Sequence, residues 1–267
     1  MKPQVKYIFS NVPGLEVLSC ESDFSFRDHI HNGHVLWVSS SGGERFSLRG
    51  YSDILQPGCI SIIEPGVVHS NGPFTEKSRH LRSFYLGEEL FLHLDRLFTG
   101  FGDRILSLPS SIINQKLCWH QTIALHEEIM ADAEQIVVEE RIIPLFSGLM
   151  RSDPSTRFDL AGTGGATKTI SRVVEYMHSM LQEKLSLEML ADIAGCTSFH
   201  LIRLFKKNMG MTPHAYLTQL RLELARELLI QGRPIADVSL QAGFSDQSHL
   251  TRRFKQRYGL TPGFFLR

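Results

Sequence analysis

Cysteine is scarce and scattered in this chain. Cys20, Cys59, Cys118 and Cys196 lie far apart and form no C-x-x-C pair, which argues against a zinc knuckle or a disulfide framework and for reduced, buried thiols. Long apolar runs are missing too. No stretch approaches the roughly 18 apolar residues of a membrane span, and Met1 to Gly14 lacks the apolar centre of a secretion signal. No membrane is expected among the partners, and a cytoplasmic address follows. Net charge is also absent, with 28 basic against 28 acidic residues. The 42% apolar content of the 267 residues, against 21% charged, excludes global disorder and a low-complexity fibre. Two domains of ordinary size are the natural reading.

The balanced total hides an asymmetry. Lys168 to Arg267 holds 14 basic and 8 acidic residues, whereas Met1 to Thr167 holds 14 and 20. A basic C-terminal part points to a polyanionic partner, and the front part then has another task.

From Phe24 to about Leu86 apolar and polar residues alternate, as in Phe24-Ser-Phe26 and Phe46-Ser-Leu48, the pattern of half-buried strands. Gly42-Gly43, Pro57-Gly58, Pro65-Gly66 and Asn71-Gly72-Pro73 supply the reversals, at a spacing that fits a small β-barrel or sandwich. The period then becomes helical. Leu90, Phe91, Leu94, Leu97 and Phe98 form one stripe, and Ile112 to Met150 can hold two further amphipathic helices. Such helices either pair subunits or cover an open side of the barrel. Ser152 to Thr167, with Pro154 and Gly162-Thr-Gly164-Gly165, is polar and glycine-rich and reads as a flexible linker. The expected fold is therefore α+β with two domains. Residues 1–151 form a barrel with flanking helices, 152–167 a linker and 168–267 an all-α domain.

Within the linker, Gly162 to Thr169 reads GTGGATKT and nearly matches a phosphate-binding loop. Thr167 replaces the second required glycine and no apolar strand leads in, so nucleotide binding is not expected and no cofactor is assigned.

The last hundred residues repeat. Ala191-Asp-Ile-Ala194-Gly195, His200-Leu-Ile-Arg203-Leu-Phe205-Lys206 and Gly210-Met-Thr-Pro213 return as Ser239-Leu-Gln-Ala242-Gly243, His249-Leu-Thr-Arg252-Arg-Phe254-Lys255 and Gly259-Leu-Thr-Pro262. The offset is 48 residues before the turn and 49 after it. Each copy has helix-turn-helix grammar: a short apolar helix, a glycine able to turn left-handed, a cap (Ser198, Asp246) and a second helix. The second helices, Ser198 to Asn208 and Asp246 to Tyr258, turn Leu201, Leu204, Phe205, Leu250 and Phe254 inward. Their outward residues are Ser198, Phe199, Ile202, Arg203 and Lys206 in the first copy, and Gln247, Ser248, Thr251, Arg252 and Lys255 in the second. Arg can bond guanine bidentately and Gln adenine; Ser or Thr can bond a phosphate or a base, and Ile202 can meet a thymine methyl. Between the copies Pro213 to Ile230 reads as one amphipathic helix with Tyr216, Leu217, Leu220, Leu224 and Leu228 as its stripe. Its 18 residues span roughly 27 Å, near the roughly 34 Å of one DNA turn, so the two reading helices can enter successive major grooves.

These repeats resemble the DNA-binding region of the AraC/XylS family of transcription regulators, most closely through Ala242-Gly-Phe-Ser-Asp-Gln-Ser-His-Leu-Thr-Arg-Arg-Phe-Lys and Gly259-Leu-Thr-Pro262. The front resembles the family's cupin-type sensor through His29-Ile-His31, Pro57-Gly58 and Glu64-Pro65-Gly66-Val-Val-His69-Ser70. The resemblance implies a regulator, not an enzyme, and more often an activator than a repressor. It implies a barrel that binds a small-molecule effector, helices on double-stranded promoter DNA, and contact with RNA polymerase; a homodimer is the outcome if the helices beside the barrel pair subunits.

Strand alternation and the barrel resemblance give His29, His31, Trp37, Arg45, Tyr51 and His69 as the effector pocket. The three histidines raise a divalent metal as an alternative. The metal-binding pattern places a glutamate soon after the paired histidines, and here the chain runs Asn-Gly-His34-Val-Leu-Trp37, so no metal is assigned. The competing reading is a metal-binding cupin enzyme, or a ligand-binding protein, whose helices dock a protein partner; selective duplex binding separates the two.

Overall fold

The computed structural model describes residues 4–48, 51–75, 79–99, 108, 110–152, 156–157 and 164–266. Two sheets build the front domain. The larger runs β1 (Gln4–Phe9), β2 (Leu15–Ser22), β9 (Arg79–Leu86), β4 (His34–Ser39), β7 (Ile60–Ile63), β10 (Ser111–Ile113) and β11 (Thr156–Arg157). The smaller runs β3 (Phe26–His29), β8 (His69–Pro73), β5 (Glu44–Leu48) and β6 (Tyr51–Leu55). The strand pairings among the described residues are antiparallel, and alternate residues of β4 serve two cores: Val35 and Trp37 meet Phe26, Phe46 and Leu48 of the smaller sheet, while Leu36 and Val38 face outward.

That outer face is covered by α1 (Glu88–Thr99), α2 (Lys116–Met130) and α3 (Gln135–Arg151). Leu90, Phe91, Leu94, Leu125, Ile129, Ile142 and Phe146 pack on it, which makes these helices the barrel's cover. The side chains of Leu97 and Phe98 lie outside the described residues.

The barrel starts well before Phe24. β1 and β2 escape a period-two reading because β2 is sandwiched between barrel and helices, with Val17 and Leu18 both buried. Asn71-Gly72-Pro73 is strand and not turn: Gly72 lets β8 pass close to Ser25, whose Oγ would lie 2.5 Å from any added Cβ. Buried Glu44 and Arg79 make a two-pronged ion pair (2.7 and 3.0 Å), and Asn71 donates to the same carboxylate.

Most of the expected linker lies outside the described residues. Two parts of it are ordered elements, since Thr156 and Arg157 pair with β10 and Gly164 to Thr167 open α4 (Gly164–Ser179). The loop-like GTGGATKT segment thus runs into a helix.

The C-terminal domain continues with α5 (Leu187–Ala194), α6 (Ser198–Met209), α7 (Pro213–Ile230), α8 (Ile235–Gln241) and α9 (Gln247–Tyr258), then a 3-10 turn over Pro262–Phe265. Gly195 and Gly243 take positive φ (67° and 75°) at the two turns. Both second helices end on glycines in the left-handed region, Gly210 and Gly259. The first cap is Thr197, whose Oγ1 accepts from the His200 amide; Ser198 is the first helical residue instead. Asp246 caps α9 as expected, accepting from the His249 amide at 2.7 Å.

The helix α7 buries more than one stripe. Tyr216, Leu217 and Leu220 face the first unit, while Leu222, Ala225 and Leu229 join a core shared with α8, α9 and the barrel. Leu224 and Leu228 are only half-buried. The helix is wedged between three bodies, so a single-stripe reading captures one contact face.

Candidate DNA interface and effector site

On α6, Phe199 is 71% exposed, Arg203 and Lys206 are exposed, and Ser198 and Ile202 are half-exposed. The Arg203 guanidinium lies over the Phe199 ring at 5.8 Å. On α9, Gln247, Ser248, Arg252 and Lys255 are exposed and Thr251 is half-exposed. The opposite faces are anchored by Leu201, Phe205, Leu250 and Phe254, each 0% exposed. Two similar amphipathic helices therefore each hold out a polar row with two cations, on a rigid support that fixes its orientation.

The barrel cavity sits behind the second of these helices. His29, His31, Trp37 and His69 line it together with Phe26 and Tyr85. Arg45 and Tyr51 do not. The alternation of β5 turns Glu44, Phe46 and Leu48 inward and Arg45 outward, where its guanidinium lies over Phe74. Tyr51 is 43% exposed on β6 and donates to Asp53. Turn placement sets strand register, and one residue of slip exchanges the faces.

The three imidazoles converge because β3 and β8 pair His29 directly with His69, and His31 follows just after β3. The ring of His29 lies 4.1 Å from that of His69 and 5.0 Å from that of His31, centroid to centroid. Nδ1 of His29 lies 2.5 Å from the Arg27 carbonyl, and Nδ1 of His69 lies 2.9 Å from the Val67 carbonyl. A carbonyl only accepts, so both rings carry their proton on Nδ1 and keep a bare Nε2. Burial holds the pKa of His29 and of His31 well below the usual value, with the Arg257 cation adding to the effect. Burial lowers His69 to about 4 against the opposing pull of the Val67 carbonyl. All three rings are neutral at pH 7.

Arg257 of α9 reaches the edge of this cavity at His31. Its Nη2 donates to the Ile30 carbonyl at 2.5 Å, lies 3.0 Å from His31 Nδ1, and reaches Glu223 of α7 at 3.3 Å. Tyr258 donates to the same Glu223 carboxylate at 3.0 Å. Beside it, Arg226 of α7 pairs with Glu16 of β2 and lies over the rings of Tyr7, Phe9 and Phe265. The C-terminal end of α9 is thus bolted to the barrel mouth. None of these couplers stood out in the sequence, although Arg257 follows Leu250 and Phe254 on the buried face of α9. A charge on a helix's inward stripe is the signal that marks it.

Comparison with known proteins fits both halves. The profile of the AraC-like ligand binding domain matches residues 13–140, and that of a helix-turn-helix domain matches residues 190–267. The transcriptional activator AarP of Providencia stuartii is 32% identical over 97 residues, 36% of this chain and 72% of that protein. The chain belongs to the AraC/XylS family. It is a transcription regulator with a ligand-binding barrel and a helix-turn-helix DNA-binding domain. The uncharacterized HTH-type transcriptional regulator YbfI of Bacillus subtilis (strain 168) is 28% identical over 84% of this chain and 81% of its own length. Wild-type ToxT of Vibrio cholerae, solved with an unsaturated fatty acid bound, shares the fold at a TM-score of 0.55, with 15% identity over 99% of this chain and 96% of that one. No helix among the described residues is long and apolar enough to cross a membrane.

Proposed function

We propose that this AraC/XylS-family regulator reads two half-sites with α6 and α9, and that a small effector in the barrel controls how α9 is held. The observation that carries the proposal is Arg257, which joins the reading helix α9 to the histidine cavity through the Ile30 carbonyl and His31. Ser198, Phe199, Ile202, Arg203 and Lys206 take the base and phosphate contacts of one half-site, and Gln247, Ser248, Thr251, Arg252 and Lys255 those of the other. His29, His31, Trp37 and His69 form the effector pocket, without Arg45 and Tyr51. The front domain, including β11, and the C-terminal domain, from α4 onward, divide these tasks. Homodimerisation and contact with RNA polymerase belong to the same proposal.

The test is in-vitro selection of random duplexes by the full-length chain at about 150 mM salt, where non-specific binding fades and specific binding persists. Enrichment of two half-motifs about one helical turn apart is expected. Failure of both the full chain and residues 168–267 to enrich any site would refute the reading.

A further inference from the structure

We infer that His29, His31 and His69 form a binding site for one divalent first-row transition-metal ion, and that the ion and Arg257 compete for His31. This inference rests on the proposed function, whose pocket it fills with a stated class of ligand.

Four observations carry it. First, each of the three residues offers a nitrogen, and these nitrogens lie within 4.8 Å of one another. Second, backbone carbonyls fix Nδ1–H on His29 and His69, leaving Nε2 of each as a bare donor. A carbonyl behind a ligating imidazole holds the ring in orientation and raises its basicity as a ligand. Third, the cavity has a free volume of about 20 Å³. A single water needs roughly 10–15 Å³, so the space suits an ion with a water and is far too small for a sugar or an aromatic acid. Fourth, Trp37 lines the cavity, and its Nε1 is buried with no hydrogen-bond partner among the described residues. An indole N–H cannot ligate a metal, but it can donate to a water held on one.

Neutral imidazoles suit zinc, copper, iron and nickel, and carry no charge for calcium or magnesium to favour. Three imidazoles leave a fourth tetrahedral position open to water. With bonds of about 2.0–2.1 Å, a tetrahedral ion holds its ligand nitrogens about 3.4 Å apart, so the rings must draw in by about 1 Å. His31 is the ring that Arg257 holds. A guanidinium only donates, so it occupies the His31 lone pair that the metal needs, and its charge repels a dication at this range. Metal entry therefore requires Arg257 to leave, and with it the Ile30 contact that fixes the end of α9. Glu223, already its neighbour, is the acceptor left to Arg257.

The experiment uses untagged full-length protein, stripped with a chelator and titrated with Zn2+ against a chromophoric competitor. One equivalent is expected to bind, weakened by at least about tenfold in His29→Ala and in His69→Ala, each checked for its fold by circular dichroism. Arg257→Met is expected to bind Zn2+ more tightly than the wild type. Zn2+ should also raise amide hydrogen exchange at the C-terminal end of α9. Less than a tenth of an equivalent bound overturns the site. Equal binding by the histidine variants and the wild type overturns it too. Unchanged affinity in Arg257→Met, or unchanged exchange in α9, overturns the competition. Duplex selection by the metal-free and the Zn2+-loaded chain is read separately, so loss of the regulator reading and loss of the metal site are distinguishable.

Discussion

Replacing Arg226 by Met tests whether the helix-turn-helix domain is held on the barrel by the charges observed. The guanidinium pairs with Glu16 and lies 5.8–5.9 Å over the rings of Tyr7, Phe9 and Phe265. Arg226 and Glu16 side chains are 14% and 21% exposed, so the pair is neither dry nor freely solvated. A fully buried hydrogen-bonded pair costs about 2–5 kcal/mol when one partner is removed, whereas an exposed pair gives under about 1 kcal/mol. Met keeps the apolar stem against the rings and removes only the charge and its donors. We therefore expect a loss of about 2 kcal/mol, a roughly 30-fold shift toward the undocked arrangement. The assay is hydrogen exchange at β1 and α9, run on Arg226→Met, Glu16→Gln and the double variant. Exchange should rise in each single variant and rise little further in the double. Additive effects of the two substitutions, or no change in α9, would refute the coupling.

Arg203→Ala and Arg252→Ala should each cost about 1–3 kcal/mol on the selected duplex and erase preference at one base pair; equal losses on random duplex would make both phosphate contacts. Acid should destabilise the front domain through His126. Burial lowers it to about 4, with Arg82 and His80 adding to the effect and the Leu18 carbonyl opposing it. A folded-state pKa below the unfolded one means that the unfolded chain takes the proton first. The stability is full above pH 6.5 and is lost as pH falls toward 4, by about 2 kcal/mol at pH 5. His126→Gln should flatten the urea-midpoint profile between pH 7.5 and 5 by that amount, and an unchanged slope would sink the assignment. At the two helix-turn-helix turns, Gly195→Ala has open space and should cost about 1 kcal/mol from its positive φ alone. Gly243→Ala should cost more in thermal unfolding, because its Cβ would lie 2.7 Å from the Leu181 carbonyl; equal costs would contradict the packing.

The sequence by itself determined what is local and repeated. Glycines at the turns, Asp246 as a cap, and Phe205 and Phe254 on inward stripes follow from helical period and capping chemistry, which act within a few residues. They placed α6, α7 and α9 to within about a residue, and the family signature followed from the same positions. Tertiary structure alone decided the rest. Which of Glu44 and Arg45 faces the barrel depends on the register of β5 against β8, set by partners more than twenty residues away. His29 and His69 are 40 positions apart, and only strand pairing makes them neighbours. Arg257 reads as one more basic residue on a DNA-binding helix until the barrel is packed against α9. Its burial beside His31 and Glu223 turns a positive charge that would otherwise face solvent into a contact between the histidine cavity and α9, because a cation withdrawn from water must find partners wherever the fold supplies them.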